Sequence, residues 1–333
     1  MTRPFLREGL LVAVALVACD ANSGTDGRPG DDTDGDLTVA TDDGSQESPR
    51  GTASWSAPEP PLEGADLQLV MTAERALSSN APETVESILA PLLARPRPPA
   101  KALFDAGWAD YNLKQYGSCI ERMERALQLD PSLAAHARVL GFAHYKLGAH
   151  AAASRVFAAI VEARPDAYKS HYGLALVALT EGELTAASEH LETSQSLKAD
   201  YLKAQHLQAR LLSAEGRPAE ALPVVEAVIA RQPSHEEALY LLSQILAELG
   251  RDEEAEAAAA RWRRVYDMRD RIAGLDRSLR AGRADPALVI AMAEEFESIG
   301  DRAEALRVLR EGLRRFGGTE ELVTLFESLG GRR

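Results

Sequence analysis

LGFAHYKLGAHAAASRVFAAIVEARP, residues 140–165, decides how this chain folds. It opens on a Leu140–Gly141 pair, reaches Gly148, passes the small Ala153 and the bulky Phe157, and stops at Pro165. The same features return down the chain. Gly148, Gly182, Gly216 and Gly250 stand 34 residues apart, as do Ala153, Ala187, Ala221 and Ala255, with Cys119 one step earlier. Pro131, Pro165 and Pro233 keep the 34-residue grid, with Ala199 in the remaining slot. A fixed period of this length marks a stack of identical supersecondary units.

Each column has a physical reason. A glycine after the first helix can take a left-handed cap. Ala or Gly where two helices cross lets their backbones approach. Proline after the second helix cannot continue it. The spacing predicts helix–turn–helix units that bury their apolar faces only by stacking.

These residues resemble the tetratricopeptide repeat, a 34-residue helical hairpin. Leu140–Gly141, Tyr145, Leu147–Gly148, Ala153, Phe157 and Pro165 fit one unit; Gly107, Tyr111, Leu113, Tyr116, Cys119, Met123, Ala126 and Pro131 fit the one before. The resemblance implies an all-α, right-handed superhelical solenoid over 65–333, strongest across 100–262. Residues 66–99 fit a degenerate unit, with Arg97 in the proline slot. A last unit, 286–316, carries Gly300, Ala305 and Leu309, 50 residues after its predecessor instead of 34. The insert, about 263–285, reads as a longer helix, and 319–329 as a capping helix. That makes about seven units.

In this family the first helices line a concave groove. Carried over by position, the groove receives Phe104, Trp108, Tyr111 and Asn112, then Arg138, Phe142, Tyr145 and Lys146. Lys169, Tyr172 and Leu176 follow, then Lys203, His206 and Arg210, and last Tyr240 and Gln244. With aromatics at only 5 % of the chain, their bias to this surface points to binding. Rings flanked by Lys and Arg suit an extended peptide with an acidic end. One subtype holds peptide C-termini with a Lys–Asn–Asn–Lys–Arg clamp; the matching slots here hold Phe104, Trp108, Val139, Lys169 and Gly173, so only the lysine remains.

The N-terminus carries an address. Arg3 and Arg7 precede an apolar run, Gly9–Ala18, too short to span a bilayer. Leu16–Val17–Ala18–Cys19 resembles a bacterial lipobox, which implies cleavage after residue 18 and acylation of Cys19 as a membrane anchor. Asp20 follows, and the residues leave the choice of inner or outer membrane open. Residues 19–64 read as a disordered tether, rich in Gly, Asp, Ser and Thr, with too little to bury. Residues 20–64 carry eleven acids and two arginines, a net of −9 out of −14 for the chain. Such a tether reaches roughly 35–40 Å, more with self-repulsion. Trp55 within it reads as an ordinary linker aromatic. With Cys19 acylated, Cys119 has no disulfide partner and reads as a packed core thiol.

Other chemistries find no footing. GxSxG, HExxH, Walker and CxxC patterns do not occur. The seven histidines (136, 144, 150, 171, 190, 206, 235) never stand at i,i+4 from one another. No spaced calcium loop is present, no cofactor or metal is expected, and the mildly acidic body does not suit nucleic acid. Arg261, Arg263, Arg264, Arg269, Arg271, Arg277, Arg280 and Arg283 crowd one segment beside Asp267, Asp270 and Asp276, a pattern that reads as a solvated helix face with internal pairing. The expected function is a non-catalytic, membrane-tethered scaffold for envelope proteins, of pilus, secretion or outer-membrane assembly type. The alternative is an accessory subunit that binds cell-wall glycan or positions a polymer-processing enzyme. Oligomeric state is not legible.

Overall fold

The computed structural model describes residues 62–79, 81–280 and 285–331. The leader 1–18, Cys19, most of the tether and Arg283 lie outside the described residues. All regular structure among the described residues is helical: α1 (Gly64–Ser78), α2 (Pro82–Leu93), α3 (Ala100–Asn112), α4 (Tyr116–Leu129), a 3-10 turn (Pro131–His136), α5 (Arg138–Lys146), α6 (His150–Ala163), α7 (Tyr168–Glu181), α8 (Leu184–Leu197), α9 (Leu202–Ala214), α10 (Pro218–Arg231), α11 (Glu236–Glu248), α12 (Asp252–Arg280), α13 (Pro286–Ser298), α14 (Arg302–Phe316) and α15 (Glu320–Ser328). None is long and apolar enough to cross a membrane. The tandem pairs form a helical solenoid.

The helices start and stop where local chemistry dictates. Proline opens α2, α10 and α13, where the missing N–H costs nothing. Asp285 accepts from Ala287 N in the first turn of α13, and Asp301 from Glu304 N in the first turn of α14. The glycine column supplies the left-handed turn between paired helices: Gly148, Gly182, Gly216, Gly250 and Gly300 have φ of +73, +81, +71, +71 and +78°. One step earlier on the grid stands Lys114, which takes the same turn at φ +61° without being glycine. Ala199, the non-proline slot, sits in a loop held by side chains: Gln205 Nε2 donates to Ala199 O at 2.9 Å and Arg231 to Asp200 O at 3.0 Å.

The chain divides into two compact units, with the break after Gln115, between α3 and α4. The first unit packs α1, α2 and α3 around Val70, Leu77, Val85, Leu89, Leu92 and Ala106. Asp66 and Arg95 tie α1 to the end of α2 through two bonds of 2.7 and 2.8 Å. Lys101 bridges Glu74 and the buried Asp105, each at 2.6 Å. Burial drives the Asp105 carboxyl up to about 6, against the pull of Lys101.

The second unit runs from α4 to α15. At its centre the Phe157 ring of α6 lies between Gly141 of α5 and Gly173 of α7. A methyl group at either glycine would meet that ring at 2.6 Å. Cys119 is buried, its sulfur 3.9 Å from Met123 Sδ.

The last hairpin breaks the period. α12 runs for 29 residues, and α13 packs on its C-terminal half, burying Val265, Met268, Val289 and Phe296 in one core. The extra sixteen residues (50 against 34 between Gly250 and Gly300) amount to roughly 24 Å of helix. The α13–α14 corner therefore comes level with the start of α11. There Asp301 accepts from Ser234 N at 3.2 Å and from the Ser234 hydroxyl. The arginine-rich segment fastens this joint. Arg269 pairs with Glu236 at 2.8 Å, Arg271 forks onto Glu295 at 2.7 and 2.8 Å, and Arg261 donates to Pro233 O at 3.4 Å.

Candidate protein-binding surface

The residues that the sequence assigns to a groove fall on first helices, α3 in one unit and α5, α7, α9 and α11 in the other. On α3, Trp108, Tyr111 and Asn112 are half-buried. Phe104 is 4 % exposed, with its ring 6.5 Å from that of Trp108. It presents no ring to solvent, unlike the exposed aromatic that the pattern predicts.

In the second unit the rings form a ladder. Phe142 of α5 lies 6.2 Å from Tyr172 of α7, and Tyr172 lies 5.4 Å from Tyr201 at the start of α9. Tyr168 closes on Tyr201 at 5.2 Å. All four are half-buried. Phe142 rests on Phe157 at 4.9 Å, so the wedge between the glycines also seats the first ring of the ladder. Tyr145 stands beside it, its hydroxyl 3.0 Å from Thr180 Oγ1, and the Thr180 hydroxyl donates to Leu176 O at 2.8 Å. Tyr168 and Tyr201 are absent from the sequence-based set. Tyr168 opens α7 directly before Lys169, and Tyr201 stands at the cap of α9 two residues before Lys203, positions that the groove pattern does not cover.

Charge is sorted between the two helix rows. The first helices α5, α7 and α9 carry Arg138, Lys146, Lys169, Lys203 and Arg210 against Glu181. The second helices α6, α8 and α10 carry Glu162, Glu189, Glu192, Glu220 and Glu226 against Arg155 and Arg231. Lys146 is exposed, and Arg138, Lys203 and Arg210 are half-buried. Lys169 is 9 % exposed, with Nζ 5.7 Å from the Tyr168 ring, so most of its stem is packed away instead of lining an open face.

Two histidine pairs escape the sequence because their members are far apart in the chain. His171 and His190 lie with ring centroids 5.9 Å apart, and His206 and His235 4.9 Å apart, both pairs tilted. Burial first, then His235 and Arg210, hold His206 neutral, and its Nε2 is buried without a hydrogen bond. His235 Nδ1 accepts from Ala238 N at 3.2 Å and so caps α11. Among the described residues no three His, Cys, Asp or Glu side chains meet as a metal site. Tyr240, 46 % exposed, starts a second run of rings, with Trp262 at 5.4 Å, then Tyr266 at 5.7 Å, and Arg269 over Tyr266 at 4.4 Å.

Residues 140–200 and 212–279 each match a model of the tetratricopeptide repeat. The chain is a tetratricopeptide repeat protein. No curated protein sequence matches it. Among solved structures, the hetero-tetramer Cut9–Hcn1 of the APC/C is similar at TM-score 0.50 and 13 % identity, over 78 % of this chain and 48 % of that one. A tetratricopeptide repeat protein from Parabacteroides merdae aligns over 80 % of this chain and 99 % of its own, at 11 % identity and TM-score 0.45. MamA from Desulfovibrio magneticus RS-1 aligns over 51 % and 96 %, at 20 % identity and TM-score 0.44. At such identities the likeness concerns the fold alone. Tetratricopeptide repeat proteins are in general non-catalytic scaffolds, and the repeats of this chain imply binding to other proteins.

Proposed function

We propose that this tetratricopeptide repeat protein gathers partners of a bacterial envelope complex by holding an extended peptide or helix against the first helices of its second unit. The observation that carries the reading is the ladder Phe142–Tyr172–Tyr201, three half-exposed rings in contact across α5, α7 and α9. Rings seated on a core and edged by cations lose little side-chain entropy on binding and act as anchors. The segment Leu16–Cys19 supports a leader over 1–18 and acylation at Cys19, and the acidic stretch to residue 64 supports a stalk that holds the body off the lipid on the periplasmic side. No catalytic step is assigned.

Crosslinked capture from native membranes tests this, with the native chain beside a Phe142→Ala/Tyr172→Ala variant. The reading expects a defined set of envelope proteins with the native chain, reduced at least tenfold in the variant at unchanged helicity. Equal recovery by both would overturn it. Recovery of cell-wall polymer alone would replace the peptide with a glycan stacked on the same rings. Palmitate labelling of the native chain, lost in Cys19→Ser, tests the anchor.

A further inference from the structure

A second run of rings lies apart from the ladder, where α12 comes level with the start of α11. Val265 and Met268 give one face of α12 to the core, and Trp262 and Tyr266, one turn apart, stand beside that face. The Trp262 ring lies 5.4 Å from that of Tyr240 on α11 and 5.7 Å from that of Tyr266, tilted by 52 and 49°. We propose that this strip, Tyr240–Trp262–Tyr266, is a binding site for a neutral, β-linked glycan. The proposal goes beyond the ladder, which it leaves to protein partners.

Three observations carry it. The rings are accessible: Tyr240 is 46 % exposed, and Trp262 and Tyr266 are half-buried. Each ring also keeps a polar atom to spare. Among the described residues, the Tyr240 and Tyr266 hydroxyls and the Trp262 indole N–H have no hydrogen-bond partner, whereas the Tyr145 hydroxyl beside the ladder is taken up by Thr180. An apolar ligand laid over the strip would leave those three atoms buried and unsatisfied. A sugar offers both surfaces they ask for, a C–H face for the rings and a rim of hydroxyls for their polar atoms. Third, charge is balanced here. Arg269 lies over Tyr266 at 4.4 Å, yet Glu236 holds it at 2.8 Å. The exposed neighbours of Tyr266 on the helix surface, Arg263 and Asp270, are again one of each sign. The strip therefore favours neither an acidic nor a basic segment and suits an uncharged ligand. Sugar rings joined β-1,4 follow one another at a step close to that of these side chains, so that three of them can lie on three rings. Gln244, exposed one turn along α11 from Tyr240, adds an amide at the end of the strip. With glycan on this strip and protein on the ladder, the scaffold fastens its partners to a polysaccharide.

The test titrates the full chain into two labelled sugars, the β-1,4-linked hexamer of N-acetylglucosamine and cellohexaose, and reads fluorescence anisotropy. At least one should bind with a Kd of about 0.1–1 mM. Salt at about 0.5 M should leave that affinity unchanged, because the ligand is neutral. Tyr240→Ala, a change at an exposed side chain, should weaken binding at least tenfold at unchanged helicity. Trp262→Phe keeps a ring in the core and removes the N–H, and should weaken it about fivefold. Binding of neither sugar, equal affinity in Tyr240→Ala, or binding that salt abolishes would overturn the proposal. Sugar binding lost in Phe142→Ala/Tyr172→Ala and kept in Tyr240→Ala would move the glycan to the ladder and overturn it as well. Capture of envelope proteins that fails in Tyr240→Ala, with no sugar bound by the native chain, would assign the strip to a protein segment instead. The ladder is judged separately, by protein capture in Phe142→Ala/Tyr172→Ala, and stands or falls whatever the sugars do.

Discussion

At the scale of single residues, the repeat is governed by where side chains are missing. Phe157 fits because Gly141 and Gly173 leave room on both of its faces. Gly173→Ala would place a methyl 2.6 Å from a ring that Gly141 blocks on its other side, so the ring cannot step away. The expected loss is about 1–3 kcal/mol in urea unfolding, with Phe142 displaced as well; an unchanged midpoint would contradict the wedge. The Leu140–Gly141 pair and Phe157 are legible from the 34-residue grid. Asp105 is not, because nothing in its spacing tells of burial beside Lys101. Its carboxyl, raised to about 6 from an ordinary 3.8, binds its proton more tightly in the folded chain. That contribution is present at low pH and is lost as pH rises through about 6. Between pH 4.5 and 7 the native chain should lose roughly 2 kcal/mol relative to Asp105→Asn, which keeps an acceptor for Lys101 but cannot titrate. Parallel pH profiles of the two chains would contradict this.

At the scale of elements, the 34-residue period runs from the α3–α4 turn at Lys114 to the α11–α12 turn at Gly250 and does not tell how the last hairpin sits. The sequence shows an interval of 50 residues and a longer helix, and α12 is that helix. It does not show that α13 docks beside the C-terminal half of α12, since a helical pattern carries no record of which neighbour covers it. Asp301 makes the difference measurable. It is 2 % exposed, caps α14 and accepts from Ser234 across 67 residues of sequence. Asp301→Ala removes a cap and strands a buried N–H, an expected cost of about 2–4 kcal/mol. Arg271→Ala, which loses an ion pair whose arginine side chain is 54 % exposed, should cost less than about 1 kcal/mol. The opposite order in thermal melts would mean that the arginine clasp, not the buried aspartate, fixes the offset. The break after Gln115 is likewise unmarked in the repeat pattern. Lys114 at φ +61° in the glycine column is its nearest local sign.

At the scale of the whole molecule, a repeat protein's function lies in what its rows of helices present. The second unit carries rings on α5, α7 and α9, exposed or half-buried cations on α5 and α9, and carboxylates on α6, α8 and α10, so its two rows differ in charge. Most of the ladder was legible in sequence, because Phe142, Tyr145 and Tyr172 keep the repeat's register. Tyr201 was not, because it acts from a helix start. Phe104 and Lys169 fall in the right row yet are packed, since α3 and α7 are buried on most of their circumference. The most direct test of the binding surface is amide hydrogen exchange of the chain alone and in complex with its captured partner. Protection gained along α5, α7 and α9, with α6, α8 and α10 unchanged, is the predicted result. Protection confined to α6, α8 and α10 would contradict the assignment and move the scaffold's binding face to the opposite row.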